Sequence, residues 1–356
     1  MLTREDIREW LHETHPRRLE ELWESADRVR RENVGDEVHL RGLLEISNFC
    51  CRDCTYCGIR GTRLDLVRYR MTPKEILDCA ATAADFGYGT VVLQAGEDPA
   101  LSGPVMSHVV SEIKARHPLA VTLSMGERSD EDLYLWREAG ADRYLLRFET
   151  SNRELFARIH PNFPGAGRDR IGMLRRLREM GYEIGSGVMI GIPGQTYDDL
   201  VNDLLLFAEL DLDMIGVGPY IPHPETALAR VSLDEAIPPD RGVPNTELMT
   251  YKVVALARLL CPQANIPSTT ALATLNLAEG REFGLQRGAN VLMPNMTPPE
   301  YRRLYEIYPS KACVLETAEK CHGCMLGRIR RIGRLPGHGP GGRCHGPIHA
   351  GESPSR

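Results

Sequence analysis

Three cysteines in the first part of the chain have a spacing that suits one kind of metal centre. Cys50, Cys54 and Cys57 form a C-x3-C-x2-C pattern. Three thiolates on one short loop can each bind one iron of a [4Fe–4S] cluster, which leaves the fourth iron open for chemistry. If that iron chelates S-adenosylmethionine (SAM), one electron can break the sulfonium bond and release a 5′-deoxyadenosyl radical. The spacing therefore predicts radical enzymology.

Other uses of these thiols remain open at this point. A zinc knuckle normally has four nitrogen or sulfur ligands in two pairs, and the sequence offers no second pair nearby. A disulfide framework is uncommon in a chain of this length without a secretory signal. Structural thiols without a metal are a further alternative. Cys51 stands directly beside Cys50 and permits a second register, C-x2-C-x2-C, but the ligand spacing favours Cys50.

The composition argues against several classes of protein. The chain has 356 residues, 42% of them apolar, and a formal net charge of −6. This charge disfavours general nucleic-acid binding, and no run of residues approaches the ~18–20 apolar positions of a membrane span. The N-terminal residues lack the apolar region of a signal peptide, and ten cysteines without an export signal favour a reducing compartment. We therefore expect a cytoplasmic enzyme.

Strand-like and helix-like segments alternate along most of the chain. Residues 1–35 are charged and helical in period, which predicts an N-terminal helical extension. Eight strand candidates then alternate with helices, which favours an α/β fold of the (β/α)8 TIM-barrel type over a doubly wound sheet. The seventh candidate is the weakest because Pro267 interrupts it. The eight candidates are residues 37–47, 89–94, 120–124, 143–148, 183–191, 213–220, 265–270 and 290–293.

Unusual polar residues recur where the predicted strands end. Active sites of such barrels lie at the carboxyl ends of the strands, whereas any single polar turn could be structural. The recurrence after all eight strands favours a site at this end of the barrel. We expect the barrel to cover residues 36–311, followed by a cysteine-containing segment at 312–334 and a flexible Gly- and Pro-rich tail at 335–356.

Several motifs together resemble one family of the radical SAM superfamily. The cysteine loop by itself is similar to the superfamily as a whole. The remaining motifs resemble the HydE family of [FeFe]-hydrogenase maturases, over roughly residues 36–334, and residues 147–150 and 293–295 narrow the resemblance to this family. The matching segments are residues 45–48, 56–60, 68–73, 92–99, 143–150, 191–196 and 288–295.

The resemblance implies a catalytic centre built on the cysteine loop. Cys50, Cys54 and Cys57 would bind the [4Fe–4S] cluster on which SAM is cleaved. Tyr56 would lie against the adenine side of SAM, and a core aromatic is the alternative for this residue. Phe148 occupies a position where some relatives carry histidine.

Five further residues match positions that bind SAM or steer its methionine amine in this family. A carboxylate can accept hydrogen bonds from ribose hydroxyls or an ammonium group, and an arginine can pair with the methionine carboxylate. An internal salt bridge is the alternative for the glutamate at 149 and the arginine at 170, and a common turn is the alternative for the Gly-Glu pair. The five residues are Gly96, Glu97, Ser124, Glu149 and Arg170.

Five hydroxyl-bearing residues match family positions near the substrate cavity. Such hydroxyls could donate hydrogen bonds to an anionic, cyanide-bearing iron complex without adding charge, although packing is the alternative. These residues are Ser268, Thr269, Thr270, Tyr305 and Tyr308.

A second group of cysteines lies near the C-terminus in a C-x7-C-x2-C pattern. In the family it often binds an auxiliary iron–sulfur cluster, so the resemblance implies a [2Fe–2S] or [4Fe–4S] cluster here; zinc is the alternative metal. Water, His322 or Cys344 could complete its ligands. A peripheral position would suit electron entry or partner docking. The three cysteines are Cys313, Cys321 and Cys324.

The resemblance also implies a substrate and partners. A HydE-type enzyme would process an iron–cysteine carbonyl-cyanide precursor during assembly of the [FeFe]-hydrogenase di-iron subcluster. Its partners would be a reductase or ferredoxin-type electron donor and other maturases, with neither nucleic acid nor membrane involved. The alternatives are a sister enzyme, either a biotin-synthase-like sulfur inserter or a methylornithine-synthase-like mutase, and an iron–sulfur scaffold or carrier without radical turnover.

Overall fold

The computed structural model describes residues 2–161, 169–230 and 241–343. Within these ranges the helices are α1 Arg4–His12, α2 Pro16–Val34, α3 Pro73–Asp85, α4 Gly103–Arg116, α5 Asp130–Glu138, α6 Arg153–Ile159, α7 Arg170–Glu179, α8 Tyr197–Glu209, α9 Glu247–Leu260, α10 Thr270–Leu275, α11 Gly280–Gln286, α12 Pro299–Arg302 and α13 Ala318–Arg331, with a short 3-10 helix at Leu228–Arg230. The strands are β1 Glu37–Ser47, β2 Thr90–Ala95, β3 Ala120–Ser124, β4 Arg143–Leu145, β5 Glu183–Ser186, β6 Met189–Ile190, β7 Met214–Ile215, β8 Gly218–Pro219, β9 Val291–Leu292 and β10 Leu335–Pro336.

The predicted N-terminal helical extension is confirmed, and it consists of two helices. Thr3 and Asp6 form a capping box that starts α1, and Pro16 occupies the first turn of α2, where its missing N–H costs no helical hydrogen bond. Fully buried apolar side chains such as Ile7 and Leu22 face the barrel helices α8 and α9. The extension therefore belongs to the same hydrophobic core as the barrel.

The parallel sheet confirms the predicted TIM-type barrel. β1, β2, β3, β4, β5 and β7 pair in this order as parallel neighbours, and β9 returns to pair with β1. The seventh strand position consists only of single bridges, from Asn265 to Met214 and from Pro267 to Val291. Pro267 cannot donate to a ladder, which explains why this position is the shortest. Eight strand positions thus close the barrel.

The alternation of β1 decides which residues face the interior. A Cβ on Gly42 would lie 3.2 Å from Ala83 of α3, so even-numbered positions of β1 point outward to the helices. Odd-numbered positions such as Glu45 therefore point into the barrel. Register places Glu45 beside Gln94 of β2, and Gln94 beside Ser124 of β3. These three side chains form one polar layer near the carboxyl-end mouth.

The first residues of the predicted tail pack against the opposite end of the barrel. β10 pairs in parallel with the beginning of β1. Beyond it, Pro340 O accepts hydrogen bonds from Thr90 Oγ1 (2.8 Å) and Arg143 Nη2 (3.0 Å), and Gly341 O accepts one from Arg41 Nη2 (2.9 Å). The packed part of the chain thus extends to residue 343, beyond the predicted boundary at 335. Residues 344–356 lie outside the described residues.

None of the helices in the described ranges combines the length and the apolar character that crossing a bilayer requires.

Candidate active site

The cysteine loop lies at the carboxyl-end mouth, where neighbouring segments hold its backbone. Cys51 N donates to Glu97 O (2.9 Å), beyond the end of β2, and Thr55 N donates to Ile159 O (3.0 Å), at the end of α6. The Arg68 guanidinium donates to four carbonyl oxygens within residues 48–63. An irregular loop cannot bond to itself as a helix does, so these contacts determine where the thiols lie.

Two glycines allow the loop to lie close to other backbone segments. A Cβ on Gly96 would stand 2.2 Å from Phe49 O and 2.9 Å from the Cys50 Cβ. A Cβ on Gly58 would stand 2.1 Å from Glu306 O. Neither position has room for a side chain. The structure therefore gives Gly96 a steric role beside the SAM-contacting role predicted for it.

The thiols fit a cluster better than a single ion. Burial, and next the neighbouring Cys57 thiol, raise the pKa of Cys54 well above its usual value; burial, and next Cys50, raise the pKa of Cys57 to about 12. The positive charge of bound iron would offset both effects. In the described ranges no three metal-binding side chains converge on one ion, and three thiolates that each bind a different iron have no need to converge.

Hydrogen bonds distinguish Cys50 from Cys51. The Cys50 Sγ accepts the backbone N–H groups of Arg52 and Glu97, each at 3.4 Å. Such donors stabilise a thiolate ligand. The Cys51 Sγ instead donates to Glu97 Oε1 at 3.8 Å, and burial, followed by the Glu97 carboxylate, raises the pKa of Cys51 to about 11. The contacts favour Cys50 as the ligand, in the register that the spacing predicts.

A chain of alternating charges runs beside the cysteine loop. Arg52 Nε lies 2.7 Å from Glu97 Oε1, and Arg52 Nη2 lies 3.0 Å from Glu127 Oε2. The other oxygen of Glu127 lies 2.9 Å from Arg170 Nε. The predicted Glu97 and Arg170 therefore belong to one buried network. Its connecting residues, Arg52 and Glu127, were missed by sequence reasoning, although Arg52 lies inside the cysteine loop and Glu127 lies shortly after the predicted strand at residues 120–124.

Glu149 occupies a backbone conformation that only a strong local constraint maintains. Its φ of 62° is in the left-handed region, which a glutamate rarely adopts. Its N–H donates to Gly187 O (3.0 Å), and its carbonyl accepts from Met189 N (3.2 Å). Glu149 Oε2 lies 3.0 Å from Arg147 Nη2 in an ion pair, yet it accepts no hydrogen bond from the described residues. Beside this ion pair, the buried oxygen can still accept a hydrogen bond from a ligand donor.

Tyr56 contacts both a polar and an apolar partner. Its hydroxyl lies 2.9 Å from His160 Nε2, and the two rings meet edge to face. Burial lowers the pKa of His160 well below its usual value, so this imidazole is neutral at pH 7. The Tyr56 ring also packs on a small apolar cluster formed by Leu155, Ile159, Met189, Ile192, Tyr220 and Leu228. No motif in the sequence pointed to His160.

A cavity of about 390 Å³ lies directly against the cysteine loop. A volume of this size accommodates a nucleoside-sized ligand. Its wall carries thiol, carboxylate, guanidinium and aromatic groups, a combination that suits a charged nucleoside. The residues that line it include Cys54, Glu127, Phe148, His160 and Arg170.

Comparison with known proteins agrees with this geometry. The family model described as the Radical SAM superfamily matches residues 44–207. The chain is 48% identical to the [FeFe] hydrogenase maturase subunit HydE of Thermotoga maritima over 341 residues, which are 96% of this chain and 94% of that protein.

The chain belongs to the HydE family of radical SAM enzymes. Membership implies a [4Fe–4S] cluster and SAM as cofactors.

More distant relatives share the fold. The chain is 27% identical to a 3-methylornithine synthase of Methanosarcina acetivorans, over 82% of this chain and 79% of that protein. The crystal structure of methylornithine synthase (PylB) superposes with a TM-score of 0.80 at 24% identity, covering 95% of each chain. This likeness shows a common architecture and carries no statement about substrate.

The five predicted cavity residues of this HydE-family chain do not all face the interior. Tyr305 is buried, and its hydroxyl accepts from Gln94 Nε2 at 3.3 Å. Thr269 caps α10, and its Oγ1 lies 3.3 Å from where a Cβ on Gly218 would stand. Ser268 instead packs against α11, where its Oγ lies 3.5 Å from Gly280 O. Because side chains alternate along an extended segment, the Ser268 side chain points away from the barrel interior and toward α11.

The other two cavity candidates, Thr270 and Tyr308, both bond to Thr274 of α10. Thr270 is the first residue of that helix and its carbonyl accepts from Thr274 Oγ1 (2.9 Å). The Tyr308 hydroxyl bonds to the same Thr274 side chain. Burial, followed by the nearby Glu45 carboxylate, raises the pKa of Tyr308. Tyr308 therefore adjoins the polar layer of the barrel.

The C-terminal cysteines form a looser group. Cys313, in a left-handed turn, and Cys321, on α13, share a hydrogen bond between their thiols. That bond, with the Arg281 guanidinium 3.9 Å away, lowers the pKa of Cys313 to about 6. Cys324 is exposed. The alternative ligand His322 bonds to Tyr88 (3.0 Å) and stacks on Phe86, away from these thiols.

Proposed function

We propose that this chain is a maturase that cleaves SAM reductively and processes an iron–cysteine carbonyl-cyanide precursor of the [FeFe]-hydrogenase di-iron subcluster. The observation that carries the proposal is the cavity that joins Cys54 to the Glu127–Arg170 ion pair beside a HydE-type cysteine loop. The near full-length identity to a HydE protein supports the same activity.

Cys50, Cys54 and Cys57 would hold a [4Fe–4S] cluster. Bound there, the cluster would supply the electron that breaks the sulfonium bond of SAM. The protein's task is to keep one thiolate on each of three irons, and the backbone donors to the Cys50 Sγ serve that task. Cys51, with its bond to Glu97, remains outside this ligand set.

The charged side chains around the cavity would orient SAM. Arg170 would pair with the methionine carboxylate, and Glu149, whose buried Oε2 accepts no hydrogen bond from the described residues, would accept from the ribose hydroxyls or the ammonium group. Tyr56 would lie against adenine. Ser124 and the Gly96–Glu97 pair would complete the contacts, with Glu97 exchanging part of its bond to Arg52 for the methionine amine.

The interior of the barrel would hold the iron-containing substrate. The hydroxyls of Thr269, Thr270, Tyr305 and Tyr308 would donate to its cyanide ligands, and Ser268 would support this wall from outside. We call this interior the chamber. It must be closed because a primary carbon radical has to react with its substrate before solvent or protein quenches it. The tail that crosses the other end of the barrel contributes to this closure.

Cys313, Cys321 and Cys324 would bind an auxiliary iron–sulfur cluster, [2Fe–2S] or [4Fe–4S], or zinc as the alternative. The hydrogen-bonded Cys313–Cys321 pair supports a metal site here. His322 would have to leave Tyr88 to serve as a ligand, and Cys344 lies outside the described residues. Such a site would suit electron entry or docking of a partner maturase in the cytoplasm, with a reductase or ferredoxin-type protein as the donor.

The decisive experiment is anaerobic turnover of the reconstituted protein with SAM and dithionite. We expect 5′-deoxyadenosine from the parent chain and, with the iron-carbonyl substrate, a change in its infrared CO and CN bands. If the parent chain forms no more 5′-deoxyadenosine than a Cys54→Ser control, the result would favour an iron–sulfur scaffold or carrier over an enzyme. Cleavage that couples to desthiobiotin or lysine, but not to the iron complex, would identify a sister activity instead.

A further inference from the structure

The chain between α12 and α13 crosses the carboxyl-end mouth of the barrel. We call residues 304–313 the roof segment. Leu304 O accepts from Asn48 Nδ2 and Ile307 O accepts from Gly58 N, both at 2.9 Å. The roof segment therefore lies directly on the cysteine loop.

One buried ion pair fastens the roof segment to β1. Lys311 Nζ lies 2.6 Å from Glu45 Oε1, and the two side chains are only 5% and 3% exposed. The same Nζ donates to Tyr305 O (3.0 Å) and stands 5.3 Å from the centre of the Tyr305 ring. The second carboxylate oxygen of Glu45 accepts from Asn295 Nδ2 (3.0 Å). Each charged group of this pair thus has a further hydrogen-bond partner besides the other.

Stability alone does not explain such a pair. Taking two charges out of water costs about as much as their attraction returns, and apolar side chains of similar size often pack as favourably. What a satisfied buried pair provides is a single geometry, because any displacement leaves a charge without its partner. Here the geometry that it determines is the position of Tyr305, whose hydroxyl meets Gln94 in the same polar layer as Glu45.

We propose that Lys311 is a positioning residue, whose ion pair with Glu45 keeps the roof segment closed over the chamber and holds Tyr305 in it. The catalytic consequence rests on the proposed function, since it concerns a chamber in which SAM is cleaved. The structural part of the proposal, that the ion pair holds the roof segment in place, does not depend on the proposed function. The role is distinct from the hydrogen-bonding roles assigned to the hydroxyl residues, because Lys311 acts through Tyr305 and the backbone.

Hydrogen exchange tests the anchor without any cofactor chemistry. The variants are Lys311→Met and the double variant Glu45→Gln with Lys311→Met, in which neither buried charge remains. The control is Lys114→Met, which removes a partly exposed pair with Asp142. We expect amide exchange in residues 304–313 to accelerate about tenfold in both roof variants and not in the control. Unchanged exchange in the double variant would overturn the proposal.

SAM cleavage by the same reconstituted variants tests positioning. We expect kcat for 5′-deoxyadenosine to fall about fivefold in the double variant while KM for SAM stays within about twofold, because the ligand pocket itself is intact. Faster exchange with an unchanged kcat would reduce the pair to a structural anchor and would also overturn the proposal. A parent chain that forms no 5′-deoxyadenosine would instead contradict the proposed function. The hydrogen-exchange experiment would then still test whether the Lys311–Glu45 pair holds the roof segment.

Discussion

The two cysteine groups of this chain end in the same C-x2-C spacing but lie in different surroundings. Cys54 and Cys57 belong to an irregular loop whose backbone bonds to Glu97 beyond β2 and to Ile159 at the end of α6. Cys321 and Cys324 lie one turn apart on α13, and the latter is exposed. In the first group, Cys54 lines the cavity beside carboxylates and arginines, whereas no cysteine of the second group lines it. Spacing therefore indicates that thiols can share a metal, whereas the surroundings decide what the metal can do.

The thiols of the two groups also differ in acidity. Burial raises the pKa of Cys54 and Cys57, whereas the bond from Cys321, followed by Arg281, lowers the pKa of Cys313 to about 6. Without metal, the Cys313 thiol would therefore lose its proton more readily than the thiols of the cysteine loop. Four experiments can break or sharpen this comparison.

The largest effect is expected from Cys54→Ser in the cysteine loop. We expect about four fewer iron atoms per chain after anaerobic reconstitution and no 5′-deoxyadenosine above background, because the cluster loses a ligand. Cys79→Ser, which removes a partly buried thiol on α3, is the matched control and should retain both. Iron loss of equal size in the two variants would show that thiol removal alone disturbs the fold.

Glycines next to each group provide a second contrast. Gly96→Ala would place a methyl group 2.2 Å from Phe49 O, so we expect SAM cleavage to fall about tenfold as the cysteine loop shifts. Gly323→Ala, between Cys321 and Cys324, meets nothing within 4 Å and should raise helix stability by up to about 1 kcal/mol. Thermal unfolding and product assays measure both. Equal activity in the two variants would contradict the steric role of Gly96.

Removing a C-terminal thiol should have a smaller effect on chemistry. We expect Cys321→Ser to bind about two to four fewer iron atoms while SAM cleavage stays within about threefold of the parent, because this group lies outside the cavity. Iron counting and 5′-deoxyadenosine assays decide the matter. An unchanged iron content would contradict the proposed auxiliary cluster. Loss of SAM cleavage would show that the two cysteine groups depend on each other.

The smallest effect on activity at neutral pH is expected from Asp203→Asn on α8. Asp203 lies on the cysteine-loop side of the molecule, where its Oδ1 accepts Ser151 N–H (2.6 Å) beyond the Glu149 turn. Burial raises the pKa of Asp203 from 3.8 to about 7. Between about pH 4 and pH 7 the folded chain binds this proton more tightly than the unfolded chain does. The free energy of unfolding therefore falls as the pH rises through this range and is constant above it.

The variant lacks this proton and keeps the acceptor for Ser151. Relative to the parent, its free energy of unfolding should therefore increase between about pH 4 and pH 7, by a few kcal/mol on the order-of-magnitude scale of such shifts. Thermal unfolding across this range is the measurement. Asp78→Asn, at an exposed pair with Lys74, is the control. Parallel curves for Asp203→Asn and the parent would contradict the raised pKa of Asp203.

Much of the fold was predictable because its determinants are local. The period of apolar residues and the turn-forming residues predicted the barrel, including the weak seventh position at Pro267. The site was predictable only in part. Arg52 and Glu127 were missed because an ion pair has no signature in sequence, and Ser268 faces α11 because a strand alternates its side chains. The packed tail was missed because glycines and prolines seldom bury surface, yet their carbonyls accept hydrogen bonds from arginines.

The sequence by itself determined the kind of metal centre, the order of the barrel elements and the family, since each depends on residue types at short, fixed spacings. Only the tertiary structure decided which thiols adjoin a ligand cavity, that Cys51 bonds to Glu97, and that Lys311 anchors the roof segment to Glu45, 266 residues away. The physical reason is that burial and pairing depend on distance in space. The C-x3-C-x2-C spacing is therefore a local property, and its chemistry comes from residues that folding brings to it.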